Sequence, residues 1–152
     1  MKALSVMQPW ATLLVSGAKR IETRSWQTSY RGPFLIHASR RRVPSHRLAG
    51  LTPYHSGWHA RHLPRGVILG YAVLVDCLPA EALDGTLDVR ERALGRYGLG
   101  MWAWLLERPR PLARPFAWRG ALGVFDLDDQ YVRPHLTAAE SADLYCREEV
   151  PA

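Results

Sequence analysis

The run Val67–Leu78 constrains the fold more than any other stretch of this chain. Its sequence, VILGYAVLVDCL, is dominated by Val, Ile, Leu and Tyr, residues that suit a pleated, half-buried surface. It predicts a long strand. Ala3–Val6, Ile21–Trp26, Phe34–Ala38, Met101–Leu106 and a segment around Gly120–Phe125 read as shorter strands. Helical signals are brief. Pro9 stands where a helix can start, Trp10, Leu13 and Leu14 follow at helical spacing, and Gly17 suits the left-handed residue that ends a helix. Pro79–Tyr97 carries acids early and Arg90, Arg92 and Arg96 late, a helical bias. Thr137 and Glu140 form a capping-box pattern for a helix over Thr137–Glu149. Residues 39–66 are polar, basic and rich in Gly and Pro, so a loop with one or two short helices is expected there, and Arg108–Pro111 reads as a connector. No internal repeat is visible. Several strands with few long helices predict an α+β fold, a small barrel or strongly bent sheet with helices around it.

At 152 residues the chain is expected to form a single domain over 1–152. A hydrophobic content of 47% with six Trp argues against disorder. No run approaches the roughly 18 apolar residues of a membrane span. The first ten residues lack the apolar stretch and cleavage site of a signal peptide. Cys77 and Cys146 match no metal-site spacing, and they are expected to be reduced in a cytoplasmic protein.

The chemistry concentrates in Gly17-Ala18-Lys19-Arg20-Ile21-Glu22-Thr23-Arg24. Of 20 basic residues only Lys2 and Lys19 are lysines. Arginine keeps its proton in a protein, whereas a partly desolvated lysine can lose it. Lys19 is thus the one side chain away from the N-terminus able to supply a titratable amine. It is expected in the corner after the first helix. On the following strand Glu22, Arg24 and Trp26 would share one face, opposite Ile21, Thr23 and Ser25. A charged network of Lys19, Glu22 and Arg24 in a concave site is the functional expectation; a plain ion pair bracing the sheet is the alternative.

Charge is also unevenly distributed. Residues 1–75 hold 11 Lys and Arg and one acid, Glu22, whereas residues 76–152 hold nine Arg and 13 acids. No carboxylate lies between Glu22 and Asp76. That basic half, interleaved with Trp26, Tyr30, Tyr54 and Trp58, suits a polyanionic partner with bases to stack, so nucleic acid is the expected ligand.

The segment Leu4–Trp26, with Gly17, Lys19, Glu22 and Arg24 in a G-x-K-x-x-E-x-R pattern, resembles the activating signal cointegrator homology (ASCH) domain. Gln8-Pro9-Trp10, Tyr30-Arg31-Gly32, Ile36-His37-Ala38, Ile68-Leu69-Gly70, Gly100–Leu105 and Arg119–Gly123 extend the resemblance over about residues 3–127, leaving 128–152 as a C-terminal extension. The resemblance implies a small PUA-like β-barrel with flanking helices and a cleft beside Gly17–Arg24. It also implies nucleic-acid binding, RNA before DNA, or a related hydrolase: a ribonuclease, or an amidohydrolase acting on acetylcytidine-type nucleosides. Fold alone does not choose among these. In the resembling amidohydrolases a threonine nucleophile, activated by the lysine matched by Lys19, is thought to stand where this chain has Glu22. Here an acid–base pair of Lys19 and Glu22 is the catalytic expectation if the protein is an enzyme.

The expected ligand-binding set is Lys19, Glu22, Arg24, Gln8, Trp26, Tyr30, Arg31, His37, Arg40, Arg41 and Arg42. Gln8 would read a base edge, Trp26 would stack or pack, and the three consecutive arginines would meet phosphate or solvent. Trp10, Trp102 and Trp104 read as core. His55, His59 and His62 invite a zinc reading, but no Cys, Asp or Glu lies near to complete a site. No metal, cofactor or membrane is expected, and the partner is nucleic acid or a nucleotide-like ligand.

Overall fold

A computed structural model describes residues 1–48, Leu51 and residues 62–146. Within them the chain builds one six-stranded sheet that curls into a half-barrel, as the α+β reading expects. The strands are β1 (Lys2–Val6), β2 (Ile21–Arg24), β3 (Gly32–Ala38), β4 (Val67–Pro79), β5 (Trp102–Ala117) and β6 (Val124–Asp126). Their spatial order is β2-β5-β4-β3-β1-β6. The helices are α1 (Trp10–Val15), α2 (Ser45–Leu48), α3 (Val89–Leu94), α4 (Asp129–Val132) and α5 (Ala138–Tyr145).

β1 and β3 pair in parallel, with Ser5 opposite His37; the other pairings are antiparallel. A parallel pair cannot be closed by a tight turn, and here the crossover carries α1 and β2. α1 ends as expected: Gly17 has φ +75° and its N–H bonds Leu14 O. The Thr137–Glu140 capping box starts α5, with both reciprocal bonds present.

The alternation of strand side chains separates two cores. Phe34 and Ile36 join Leu4, Val6, Leu69, Leu74 and Trp104 on the face covered by α1. Leu35 joins Ala3, Ile68, Tyr71 and Phe116 on the opposite face, which Leu127, Val132, Leu136 and Leu144 cover. The segment beyond residue 127 therefore roofs one side of the sheet.

Three expectations change. β5 runs straight through Arg108-Pro109-Arg110-Pro111 instead of breaking into a connector. Only Trp102–Leu105 of β5 pair with β2; further along, among the described residues, β5 pairs with β4 alone, and a strand with an unpaired edge tolerates proline. The last strand is shorter than expected, since Val124–Asp126 alone pair with β1; residues 118–123 form a loop, with Gly123 at φ +69°. β2 stops at Arg24, two residues before Trp26. In residues 39–66 the structure shows α2, while Tyr54, Trp58, His55 and His59 lie outside the described residues. Cys77 and Cys146 are unpaired. No helix among the described residues is long and apolar enough to cross a membrane.

The tightest packing lies at Gly70 in β4. A Cβ there would fall 2.3 Å from Arg110 O and 2.6 Å from Val15 Cγ1. β4, β5 and α1 thus meet where no side chain fits. Gly70→Ala should destabilise the fold by about 1–3 kcal/mol, the usual cost of overpacking, read as a lower urea midpoint at unchanged slope.

Candidate functional site

Lys19 does not join Glu22 and Arg24 in one network. Its N–H closes on Leu13 O after the α1 turn, and the side chain turns inward, 1% exposed. The ammonium donates to Ile21 O and lies 3.1 Å from Glu91 Oε1 on α3. Glu91 also accepts from the Arg20 N–H at 2.9 Å and from the Tyr97 hydroxyl at 3.0 Å. Burial and the Glu91 carboxylate raise the Tyr97 phenol far above its ordinary range, so it donates. A buried cation needs such a partner. Here the pair fastens the corner before β2 to α3, across 72 positions of sequence.

Glu22 and Arg24 do share a face. Arg24 Nε lies 3.2 Å from Glu22 Oε1, an ion pair without hydrogen-bond alignment. Arg24 Nη2 donates to Ser5 O at 2.8 Å, carrying the octapeptide to the edge of β1. Trp26 packs edge-on against Trp104 at 4.7 Å and accepts the Trp104 indole N–H on its carbonyl.

Gln8 is engaged within the fold. Its Oε1 accepts from the Thr12 N–H and hydroxyl, capping α1 by side chain, while Nε2 donates to Pro64 O. Tyr30 donates its hydroxyl to Pro33 O. Arg31 contacts Asp76 at 2.9 Å and two local carbonyls. Arg40, Arg41 and Arg42 are exposed, and Arg40 lies across Gly66. His62 is exposed.

A cleft of about 380 Å³ opens at the end of β1 and β3. Ser5, His37, Ser39, Arg40, Arg119 and Gly120 form its walls, with Ala121 and Leu122 at the rim. None of these residues is acidic. Of the expected site residues, the cleft gathers His37 and Arg40, with Arg24 held to Ser5 just behind. Ser5, Ser39 and Arg119 were missed by sequence reasoning. Arg119 sat in a segment read as part of a strand, and Ser5 reaches His37 through strand register rather than sequence spacing.

His37 is 2% exposed. Its Nε2 faces Trp118 O at 3.1 Å and its Nδ1 faces Ser5 Oγ at 3.0 Å. A carbonyl oxygen can only accept, so Nε2 carries the proton. Burial, with a smaller push from Arg40, holds the imidazole pKa below its ordinary value, so the ring is neutral near pH 7. Nδ1 is then an acceptor and the Ser5 hydroxyl donates to it. Gly120 closes over the pair: a Cβ there would fall 2.4 Å from His37 Cε1 and 2.6 Å from Ser5 Oγ.

Two outcomes follow from these contacts. Lys19→Met should cost about 3–5 kcal/mol by leaving Glu91 unpaired in the interior, and a double-mutant cycle with Glu91→Gln should show strong coupling in denaturant unfolding. The unfolded chain titrates His37 near 6.5 and the native state lower. Above that pH both states are neutral and the contribution of His37 to stability is complete. Below it the unfolded state alone takes up a proton, and stability falls until the native pKa is passed. Lowering pH from about 7.5 to about 5.5 should therefore reduce the urea midpoint, and His37→Gln should flatten that part of the profile.

Comparison with known proteins agrees with this architecture. Residues 4–122 match the ASCH domain. The chain is 38% identical to human activating signal cointegrator 1 and 28% identical to the mouse protein, each over 134 residues and 84% of this chain. It spans only 22% of the length of either relative. The crystal structure of ASCH from Zymomonas mobilis superposes with a TM-score of 0.58 at 18% identity, covering 87% of this chain and 90% of that one, a likeness of fold. With that match across most of its length, the chain belongs to the ASCH domain family.

Proposed function

We propose that this domain binds nucleic acid, RNA in preference to DNA, in the cleft at the ends of β1 and β3. The observation that carries the proposal is the cleft wall itself: two arginines, Arg40 and Arg119, with no acidic residue among the lining. Guanidinium groups suit phosphate oxygens. Arg41 and Arg42, exposed beside Arg40, extend the positive surface along the path of a backbone. The Ser5 and Ser39 hydroxyls supply hydrogen-bonding groups within the cleft, the kind needed to read a 2′-hydroxyl and so favour RNA. The acid-free stretch between Glu22 and Asp76 fits such a partner.

In this reading Lys19 and Glu22 serve the site from behind. Lys19 anchors the start of β2 to α3, and Glu22 sits against Arg24, which grips the β1 carbonyl beside the cleft. A cytoplasmic setting, where RNA is at hand, belongs to the same proposal.

Anisotropy titrations with a short single-stranded RNA and its DNA counterpart test it. Affinity should fall steeply between about 50 and 200 mM salt, by roughly 0.7 log units per log unit of salt for each phosphate contacted on a single strand. Arg40→Gln and Arg119→Gln should each weaken binding and lower that slope by about 0.7. RNA should bind more tightly than DNA. Absence of binding at low salt, or binding indifferent to both arginines, would refute the proposal.

A further inference from the structure

We infer that Ser5 and His37 form a nucleophile–base pair, giving the cleft a hydrolytic activity on small carboxylic esters that carry an anionic group. The inference rests on the anion preference proposed above for Arg40 and Arg119, though not on the binding of a polymer.

The geometry has the three members that hydroxyl activation requires. Ser5 Oγ lies 3.0 Å from His37 Nδ1, and the opposite ring nitrogen lies 3.1 Å from a backbone oxygen, Trp118 O. That carbonyl fixes the tautomer and ring orientation, as the acidic member of a catalytic triad does, without contributing a charge. The register Ser5↔His37 between parallel strands holds the two side chains on rigid elements. Both residues line the cleft, His37 nearly buried and Ser5 partly exposed, so a bound molecule would meet the pair from the Ser5 side. A purely structural Ser–His contact has no need of a cleft above it. Gly120 packs directly on the pair, and any side chain there would meet Ser5 Oγ and His37 Cε1, so the approach to the hydroxyl runs beside Gly120.

The chemistry balances without a cofactor. Ser5 Oγ attacks the acyl carbon as its proton passes to His37 Nδ1. The tetrahedral oxyanion collapses, the acyl C–O bond breaks, and the alcohol leaves with the proton from Nδ1. Water, deprotonated by Nδ1, then attacks the acyl-serine. The carboxylic acid departs and the Ser5 hydroxyl is restored. Arg40 and Arg119 choose the substrate by binding its anionic group, and a cleft of about 380 Å³ admits a small one.

A fluorophosphonate probe and two esters, p-nitrophenyl benzoate and its p-sulfobenzoate analogue, decide the matter. The intact protein should be labelled at Ser5, located by mass spectrometry, and should hydrolyse the sulfonated ester faster than the neutral one. Ser5→Ala should abolish labelling. His37→Gln should slow turnover by about 100-fold or more, and Arg40→Gln with Arg119→Gln should erase the preference for the anionic ester. The urea midpoint of Ser5→Ala provides a check on folding, and it should stay close to that of the intact protein. Failure of the probe to label the intact protein, or equal turnover by the intact protein and folded Ser5→Ala, overturns the inference. RNA binding measured on the same samples separates that failure from failure of the binding proposal: intact salt-dependent binding without labelling removes the enzyme alone.

Discussion

The parallel pairing of β1 with β3 is the constraint on which the rest of the structure depends. Parallel neighbours force a crossover, and the crossover delivers α1 to one face of the sheet and β2 to its far edge. The same pairing puts Ser5 beside His37 and leaves the ends of both strands side by side, where the cleft opens. Shifting β1 by one residue would turn Ser5 into a core and Leu4 toward the cleft, because successive side chains face opposite ways. The buried Ala3, Leu4 and Val6 oppose that slip through their apolar contacts.

Charge placement divides into bracing and display. The octapeptide holds the most concentrated chemistry in the sequence, yet its lysine is the most deeply buried cation among the described residues. Glu91 neutralises Lys19, Asp76 meets Arg31, and Glu22 sits against Arg24. Two of these acids come from the acidic half of the chain, so folding partly cancels the asymmetry visible along the sequence. Arg40, Arg41, Arg42 and Arg119 are exposed at and beside the cleft, while further exposed arginines such as Arg90, Arg110 and Arg114 lie elsewhere on the surface.

The legible parts of this fold are those governed by local physics. Val67–Leu78 announces β4 by composition, Gly17 announces the end of α1 through its backbone freedom, and Thr137 with Glu140 announces α5 through reciprocal capping. The first part of β5 was legible as a strand over Met101–Leu106, but its continuation was hidden because proline usually ends a strand and nothing in the sequence shows that β2 stops pairing at Leu105. The partner of Lys19 was hidden for a different reason. Glu91 lies 72 residues away, and nothing in the spacing of either residue signals the other. The cleft was half legible: His37 and Arg40 stood out by residue type, whereas Ser5 and Arg119 acquire their positions from strand register and a loop.

Gly66 joins three parts of the chain at one point. Its N–H bonds Ala38 O, its carbonyl accepts the Trp118 N–H, and the Arg40 side chain lies across it. The excursion from residue 39 to residue 65 therefore departs and returns at a closed clasp belonging to the sheet. Doubling the length of a flexible loop between fixed ends costs only about 0.6 kcal/mol in closure entropy. Parts of the excursion also pack on the barrel, since Leu51 clusters with Leu13 and Leu94 and Pro64 O accepts from Gln8. Because Ser39 and Arg40 stand both at its root and in the cleft wall, a change in the excursion would be felt at the cleft through the clasp.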